Sequence, residues 1–410
     1  MKKIILFPIA LTLIFSGVYA QDLFYDSGFR FKDRTVELGL NAGFDFSNDF
    51  FSLGDFRQER MVLDLDNFTG GLNLNTGLDI TPFYLGFNIN NIWGFGISAN
   101  INYYGHIGLS KNLISLDQAI DEKSDASFAV FADAALNFFF NVNHFKLKFR
   151  PSVYYSVLYS KPDIVYTFDT TDTPYLNLEY DMRIYTALQI DDIDNIKFDI
   201  NAFSAAPGFD ISFGFEYPLY RAAGLYKVFA LFDFDIGMDF MHIPIHPAVL
   251  RHYTQLSGGF TVDVDTLENV FDFIDNDDFF DDNDLFNDPV YGEDKISVER
   301  PFRAKLWIAW RPMGSRLLTL TPQLGFSINP LYLEPFSMEY GVKAKFDLIN
   351  LLTLTAGVNF EDRIWKNNLH VTFNLRILEL DLGIEARSYE FFNFWNTGGL
   401  GVHVGLKFGL

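Results

Sequence analysis

Apolar and polar residues alternate with a period of two along most of this chain. In the final stretch Leu400, Val402, Val404, Leu406, Phe408 and Leu410 fall on one side, and Gly401, His403, Gly405, Lys407 and Gly409 on the other. Successive side chains of a strand point to opposite faces, and about 9–11 tilted residues cross a bilayer, so one face can meet lipid while the other meets water. The pattern is present from 36 to 46, where Val36, Leu38, Leu40, Ala42, Phe44 and Phe46 alternate with Glu37, Gly39, Asn41, Gly43 and Asp45. It returns at 72–80, 83–90 and 92–103, with Asn90-Asn91 as a tight turn, and at 128–140 and 145–159, a hairpin around Val142-Asn143.

Further alternating runs occupy 176–190, 196–202, 209–217, 228–240 and the region around Leu256 and Val264, whereas Leu113, Leu116 and Ile120 predict a short helix or folded loop within 110–125. Later strands are expected at 302–310, 318–326, 338–348, 352–360, 369–377, 380–388 and 400–410. Their connections are alternately brief (312–315, 349–350, 378–379) and longer (329–337, 361–368, 389–399), as in barrels with short inner turns and longer outer loops. The pattern predicts an all-β, antiparallel, up-and-down transmembrane barrel. A single-chain barrel closes with an even number of strands, here about 16 within a range of about 14–18.

At the N-terminus Lys2 and Lys3 precede an apolar run from Ile4 to Phe15, and Val18-Tyr19-Ala20 precedes Gln21. Residues 1–20 therefore read as a secretory signal peptide cleaved after Ala20. Residues 21–35 read as an N-terminal segment able to form a short plug, and 36–410 as the barrel, interrupted by an acidic loop at 265–300. No later stretch reaches the roughly 18 continuous apolar residues of a membrane helix. Without cysteine the exported chain has neither disulfides nor a thiol to carry a lipid anchor.

The net charge of −22, more negative still without Lys2 and Lys3, disfavours nucleic acid as a partner. The 47 Phe and 20 Tyr would have to be hidden in a soluble protein of this length, whereas a lipid-facing surface and its aromatic girdles can display them. On these features the chain resembles a bacterial outer-membrane β-barrel, and its Phe-, Asn- and Asp-rich texture is similar to barrels from spirochaetes or Bacteroidetes. Many such barrels end in Phe or Trp; here Leu410 is last and Phe408 lies on the same face. The resemblance implies outer-membrane lipids as surroundings and recognition of Leu400–Leu410 by the barrel-assembly machinery. Chain length is also similar to that of the long-chain fatty-acid transporter barrels, in which an N-terminal segment plugs the lumen, a role that 21–35 would take.

Charged residues on a lipid face cost several kcal/mol near the midplane, roughly 2–4 for Arg or Lys, so those in alternating strands are expected to point inward. The expected lumen-lining set is Lys146, Lys148, Arg150, Asp233, Asp235, Asp239, Arg303, Lys305, Lys343, Lys345, Glu385 and Arg387. Its mixed signs imply either a polar-solute passage or charges that pair across a filled lumen.

Asp277, Asp278, Asp281, Asp282 and Asp284 of the acidic loop lack the spacing of a calcium loop. His242, His246 and His252 are separated by Pro244 and Pro247, which spoils helical presentation of a metal. No G-x-S-x-G elbow and no H-E-x-x-H helix is present. No enzyme activity, cofactor or metal is therefore expected. The favoured function is passive diffusion of small polar solutes through a monomer or homotrimer; the alternatives are a fatty-acid-type transporter of hydrophobic molecules and a surface adhesin or structural barrel.

Overall fold

The computed structural model describes residues 34–49, 72–89, 92–109, 120–142, 145–169, 175–187, 205–219, 233–263, 287–312, 317–348, 351–389, 391 and 398–410. In chain order the strands begin with β1 (Val36–Asn48), β2 (Leu72–Ile89), β3 (Trp93–Leu109), β4 (Ile120–Lys123), β5 (Asp125–Val142), β6 (Phe145–Ser160) and β7 (Asp163–Asp169). Next come β8 (Tyr175–Thr186), β9 (Gly208–Pro218), β10 (Asp233–His246), β11 (Ala248–Asp263), β12 (Val290–Val298) and β13 (Phe302–Arg311). The last are β14 (Leu318–Ile328), β15 (Phe336–Leu348), β16 (Leu352–Glu361), β17 (Ile364–Asn374), β18 (Leu378–Ser388) and β19 (Gly399–Gly409).

Among the described residues fourteen strands, β1, β2, β3, β5, β6, β9, β10 and β13 to β19, form a closed antiparallel ring. The seam is β1 on β19, in unbroken register from Glu37↔Gly409 to Ser47↔Gly399. It is extended by the Thr35 amide, which donates to the Leu410 carbonyl at 2.6 Å. The other strands, β4, β7, β8, β11 and β12, project past the ring at one end, where β8 pairs with β7, β11 and the tip of β6, and β11 pairs with β12.

Fourteen strands lie at the lower end of the expected range of about 14–18, two fewer than the sixteen favoured there, for physical reasons that are local. The runs at 72–80 and 83–90 are one strand, β2, whose register shifts between Ile80↔Ile101 and Phe83↔Ala99. Thr81-Pro82 forms a bulge there, the usual way a strand absorbs a proline that has no N–H to donate. Of the runs at 176–190 and around 256–264, residues 176–186 belong to β8 and 256–263 to β11 of the projecting sheet. Of the helix or folded loop expected within 110–125, residues 110–119 lie outside the described residues, and 120–123 are strand β4 paired with β7. The run at 196–202, the signal peptide 1–20, most of the 21–35 segment and 264–286 lie outside the described residues, and in the rest of the loop expected at 265–300 residues 290–298 are not loop but strand β12, paired with β11.

Burial is inverted relative to a soluble protein. Leu38, Leu40, Leu136, Val342, Leu382, Ile384, Val402 and Val404 are exposed on the outer wall, while Asn41, Asp45, Asn137, Lys407 and His403 are buried on the inner one. An apolar outer band around a polar, ion-paired interior is the arrangement that a bilayer stabilises, and it defines the chain as a transmembrane barrel of the outer-membrane type. Aromatic pairs cross neighbouring strands, among them Phe87–Phe95 at 4.9 Å, Phe213–Phe240 at 4.6 Å and Tyr340–Phe360 at 5.2 Å between ring centroids.

The chain enters and leaves the ring at the same end, where β2–β3, β5–β6, β15–β16 and β17–β18 are joined by short turns. The opposite, loop end carries the projecting sheet and a connection at 329–335. The expected long loop at 361–368 is a two-residue turn. Asp362 and Arg363 have φ of 53° and 65°, the pair of left-handed residues that a type I′ hairpin requires, and Trp365 lies in β17. The turn expected at 378–379 falls at 375–377, with Arg376 at φ 65°.

Candidate functional site

The interior of the ring encloses a cavity of about 540 Å³, into which Lys146, Lys148, Arg150, Asp239, Arg303, Lys305, Lys343, Lys345 and Glu385 project. Strand pleat puts them there: each sits one position from an outward apolar residue, as Lys148 does between Leu147 and Phe149. Most carry an opposite charge within reach. Lys146 pairs with Glu216, Arg150 with Asp133 at 3.3 Å, and Lys345 with Asp347 at 2.9 Å. Asp233 and Asp235 lie together against the Arg311 guanidinium, the first at 3.1 Å, and Asp239 accepts from the Trp307 indole at 2.7 Å. Arg387 joins Asp45 across the seam and also Glu385 at 2.5 Å.

Two denser networks stand toward the loop end. In the first, Arg300 reaches inward from the 299–301 link and meets Asp133 of β5 and Asp210 of β9, the latter at 2.5 Å, with Ser152 accepting a further hydrogen bond at 2.6 Å. The His242 imidazole lies 3.4 Å from the same Asp210 carboxylate. A bulge in β10, where His242 has φ 53° and its amide donates to Ser212, turns that ring toward the lumen. In the second network Arg303 lies 2.7 Å from Glu339 and 2.9 Å from Asp362, Lys305 lies 2.6 Å from Glu361, and Lys366 lies 3.3 Å from Asp362. The tight β16–β17 turn is what brings Asp362 inside. Burial opposes its ionised form, but Arg303 and Lys366 outweigh burial and hold its pKa below the ordinary carboxylate range.

Over these networks runs the 329–335 connection. It starts from β14 and reaches β2 and β3, half-way round the ring, so it crosses the mouth. Tyr332 donates to Asn75 of β2 at 3.2 Å and packs edge-on to His106 of β3, with ring centroids 4.7 Å apart. The Leu333 amide donates to Asp125 at 3.0 Å, and Lys161 donates to the Tyr332 carbonyl at 3.2 Å. Burial above all, then the negative charge of Asp362, pushes the Tyr332 phenol well above its ordinary pKa. Leu331 plugs into an apolar cluster with Phe131, Tyr154, Leu250 and Val298. A cavity of only about 50 Å³ remains beneath, bordered by Tyr104, His106 and Tyr332.

Of the twelve residues expected in the lumen, nine border the cavity and Asp233, Asp235 and Arg387 lie in ion pairs; they do not form one constellation but are spread over separate pairs and networks. His242, His246 and His252 do not converge either: His242 faces Asp210, His246 bonds the Pro247 carbonyl, and His252 lies 3.6 Å from Glu293. Sequence reasoning missed Asp133, Asp210, Arg300, Glu339 and Lys366, and also a group comprising His370, Asp381 and His403. Asp133, Asp210 and Glu339 occupy polar positions in alternating runs and were open to detection; Lys366 falls in the stretch expected as a loop, Arg300 sits in a link, and the His370, Asp381 and His403 group is assembled only by strand register.

No protein-family model matches the chain, and no curated protein matches it in sequence. Its fold is that of solved outer-membrane barrels. The toluene transporter TodX of P. putida superposes with a TM-score of 0.50 at 9% identity, over 96% of this chain and 95% of that one. The CymD monoaromatic hydrocarbon channel gives a TM-score of 0.46 at 9% identity, over 96% of this chain and 93% of that one.

Proposed function

We propose that this protein is an outer-membrane channel through which small polar solutes diffuse, closed in the described state by the 329–335 crossing loop. The observation that carries this reading is the wall of the 540 Å³ cavity, which presents Lys148, Lys343, Lys345, Asp239 and Glu385 in place of the apolar lining a hydrocarbon would need. Charges of both signs hydrate the passage without a strong preference for either ion. Purified protein in planar bilayers is expected to show discrete openings with weak ion selectivity; silence at every voltage, including after removal of the crossing loop, would refute the proposal.

A second reading, transport of hydrophobic molecules, draws on two observations: the apolar cluster of Phe131, Tyr154 and Leu331 at the mouth, and the toluene named as cargo of TodX. Native mass spectrometry separates the two. Copurified acyl or aromatic molecules that leave when Leu331 is replaced by Asp would favour this reading, and a ligand-free barrel would dismiss it.

A further inference from the structure

The geometry points to a binding site for a divalent transition-metal ion, of which Zn²⁺ is the best match, built from His370, Asp381 and His403 on the lumen wall. The three come from consecutive strands. Register sets His370 of β17 opposite Gly383 of β18, and Gly383 opposite His403 of β19, so the two imidazoles share a row with no side chain between them. Asp381 lies two residues along β18 on the same face, opposite Thr372 and Gly405. One donor atom from each ligand lies within 4.8 Å of the others.

The histidine–carboxylate separations suit a shared ion. His403 Nε2 is 3.1 Å and His370 Nδ1 3.6 Å from the same atom, Asp381 Oδ2. A tetrahedral zinc holding each donor at about 2.0–2.1 Å keeps donors about 3.3–3.4 Å apart, a value the two histidine–carboxylate separations bracket, while the two imidazole donors lie within 4.8 Å of each other. Thr372 donates to the other carboxylate oxygen, Oδ1, at 2.6 Å. That bond fixes the carboxyl group and leaves Oδ2 aimed at both rings, as outer partners do for metal ligands.

Gly383 is the second, independent sign of a built site. A Cβ there would lie 2.6 Å from both Cε1 and Nδ1 of His370 and 3.1 Å from Cβ of His403, so any larger residue would drive the rings apart. Two imidazoles and one carboxylate form a three-ligand set that leaves a fourth position open. His370, Asp381 and His403 all border the 540 Å³ cavity, so that position faces the lumen, where water or an anionic solute can complete the shell.

The test uses the full-length protein folded in detergent, stripped with chelator and titrated with ZnCl₂ by calorimetry. One saturable site per barrel is expected. It should weaken at least tenfold in Asp381→Asn and in Gly383→Ala, and about 10–100-fold in Thr372→Val, which removes only the outer hydrogen bond. His246→Ala with His252→Ala should leave it unchanged. Absence of saturable binding, or binding that survives in a heat-modifiable, folded His370→Ala/His403→Ala double variant, would overturn the assignment. Should that variant not fold, zinc X-ray absorption on the wild-type protein decides: imidazole scattering from two histidines is required, and a shell of oxygen alone refutes the site.

Discussion

Removal of the Arg300 guanidinium gives a stability change that can be worked from the surrounding charges. Arg300 is 1% exposed at its side chain, and its Nε and Nη2 lie 2.7 and 2.5 Å from Asp210 while Nη1 meets Asp133. Tyr154 lies below it, with the ring centroid 4.8 Å from Cζ. Breaking a buried pair by deleting one partner costs about 3–5 kcal/mol, because the remaining charge stays buried. Here each carboxylate keeps another neighbour, Arg150 for Asp133 at 3.3 Å and His242 for Asp210 at 3.4 Å, which places Arg300→Met at the lower end, about 3 kcal/mol. That is about two orders of magnitude in the unfolding equilibrium. Urea titration in lipid vesicles, followed by tryptophan fluorescence and by heat-modifiable migration, measures it. The double variant Arg300→Met/Asp210→Asn removes one charge of each sign and leaves the Asp133–Arg150 pair intact, so it should recover most of the loss. A single variant within about 0.5 kcal/mol of wild type, or a double variant as unstable as the single, would refute the view that this network is charge-balanced and dry.

Tyr332→Phe removes the 3.2 Å bond to Asn75, a contribution of about 0.5–1.5 kcal/mol, and should raise open probability in planar bilayers about two- to tenfold. Replacing 330–334 by Gly and Ser should leave the barrel folded and lengthen the openings; unchanged gating would show that the crossing loop is not the closure. Lys343→Glu with Lys345→Glu reverses two charges on the cavity wall and should move the reversal potential toward cation preference, read in a salt gradient. Leu382, exposed on the outer wall near the middle of β18, should tolerate Ala but lose about 2–4 kcal/mol in urea titrations as Leu382→Arg.

The alternation of side chains made most of the ring legible, since a period of two sustained over so many strands in a chain this rich in aromatics suits a wall between lipid and water better than any soluble sheet. It located β1, β13 to β16 and β19 within a few residues, and it put Lys343 and Lys345 inside. The errors arose where a local device interrupted the period. The runs at 72–80 and 83–90 read as two strands because a bulge at Thr81-Pro82 and a turn have the same punctuation in sequence. Asp362-Arg363 looked like part of a long loop because neither residue is the glycine or asparagine that usually marks a type I′ turn. Strands β8 and β11 alternate as well as any wall strand, and nothing local says that they stand beyond the ring. The His370, Asp381 and His403 group was invisible for a different reason: its residues come from three strands, and only pairing register brings them into one row.

The crossing loop has a mechanical consequence. By fastening the β14–β15 side of the ring to β2 on the far side through Tyr332 and Asn75, it acts as a tie-rod across a flexible hoop. Any flattening of the hoop along that diameter slackens the rod, and any widening strains it. A distortion of the hoop along that diameter therefore loads the Tyr332–Asn75 bond directly, whereas one at right angles to it does not.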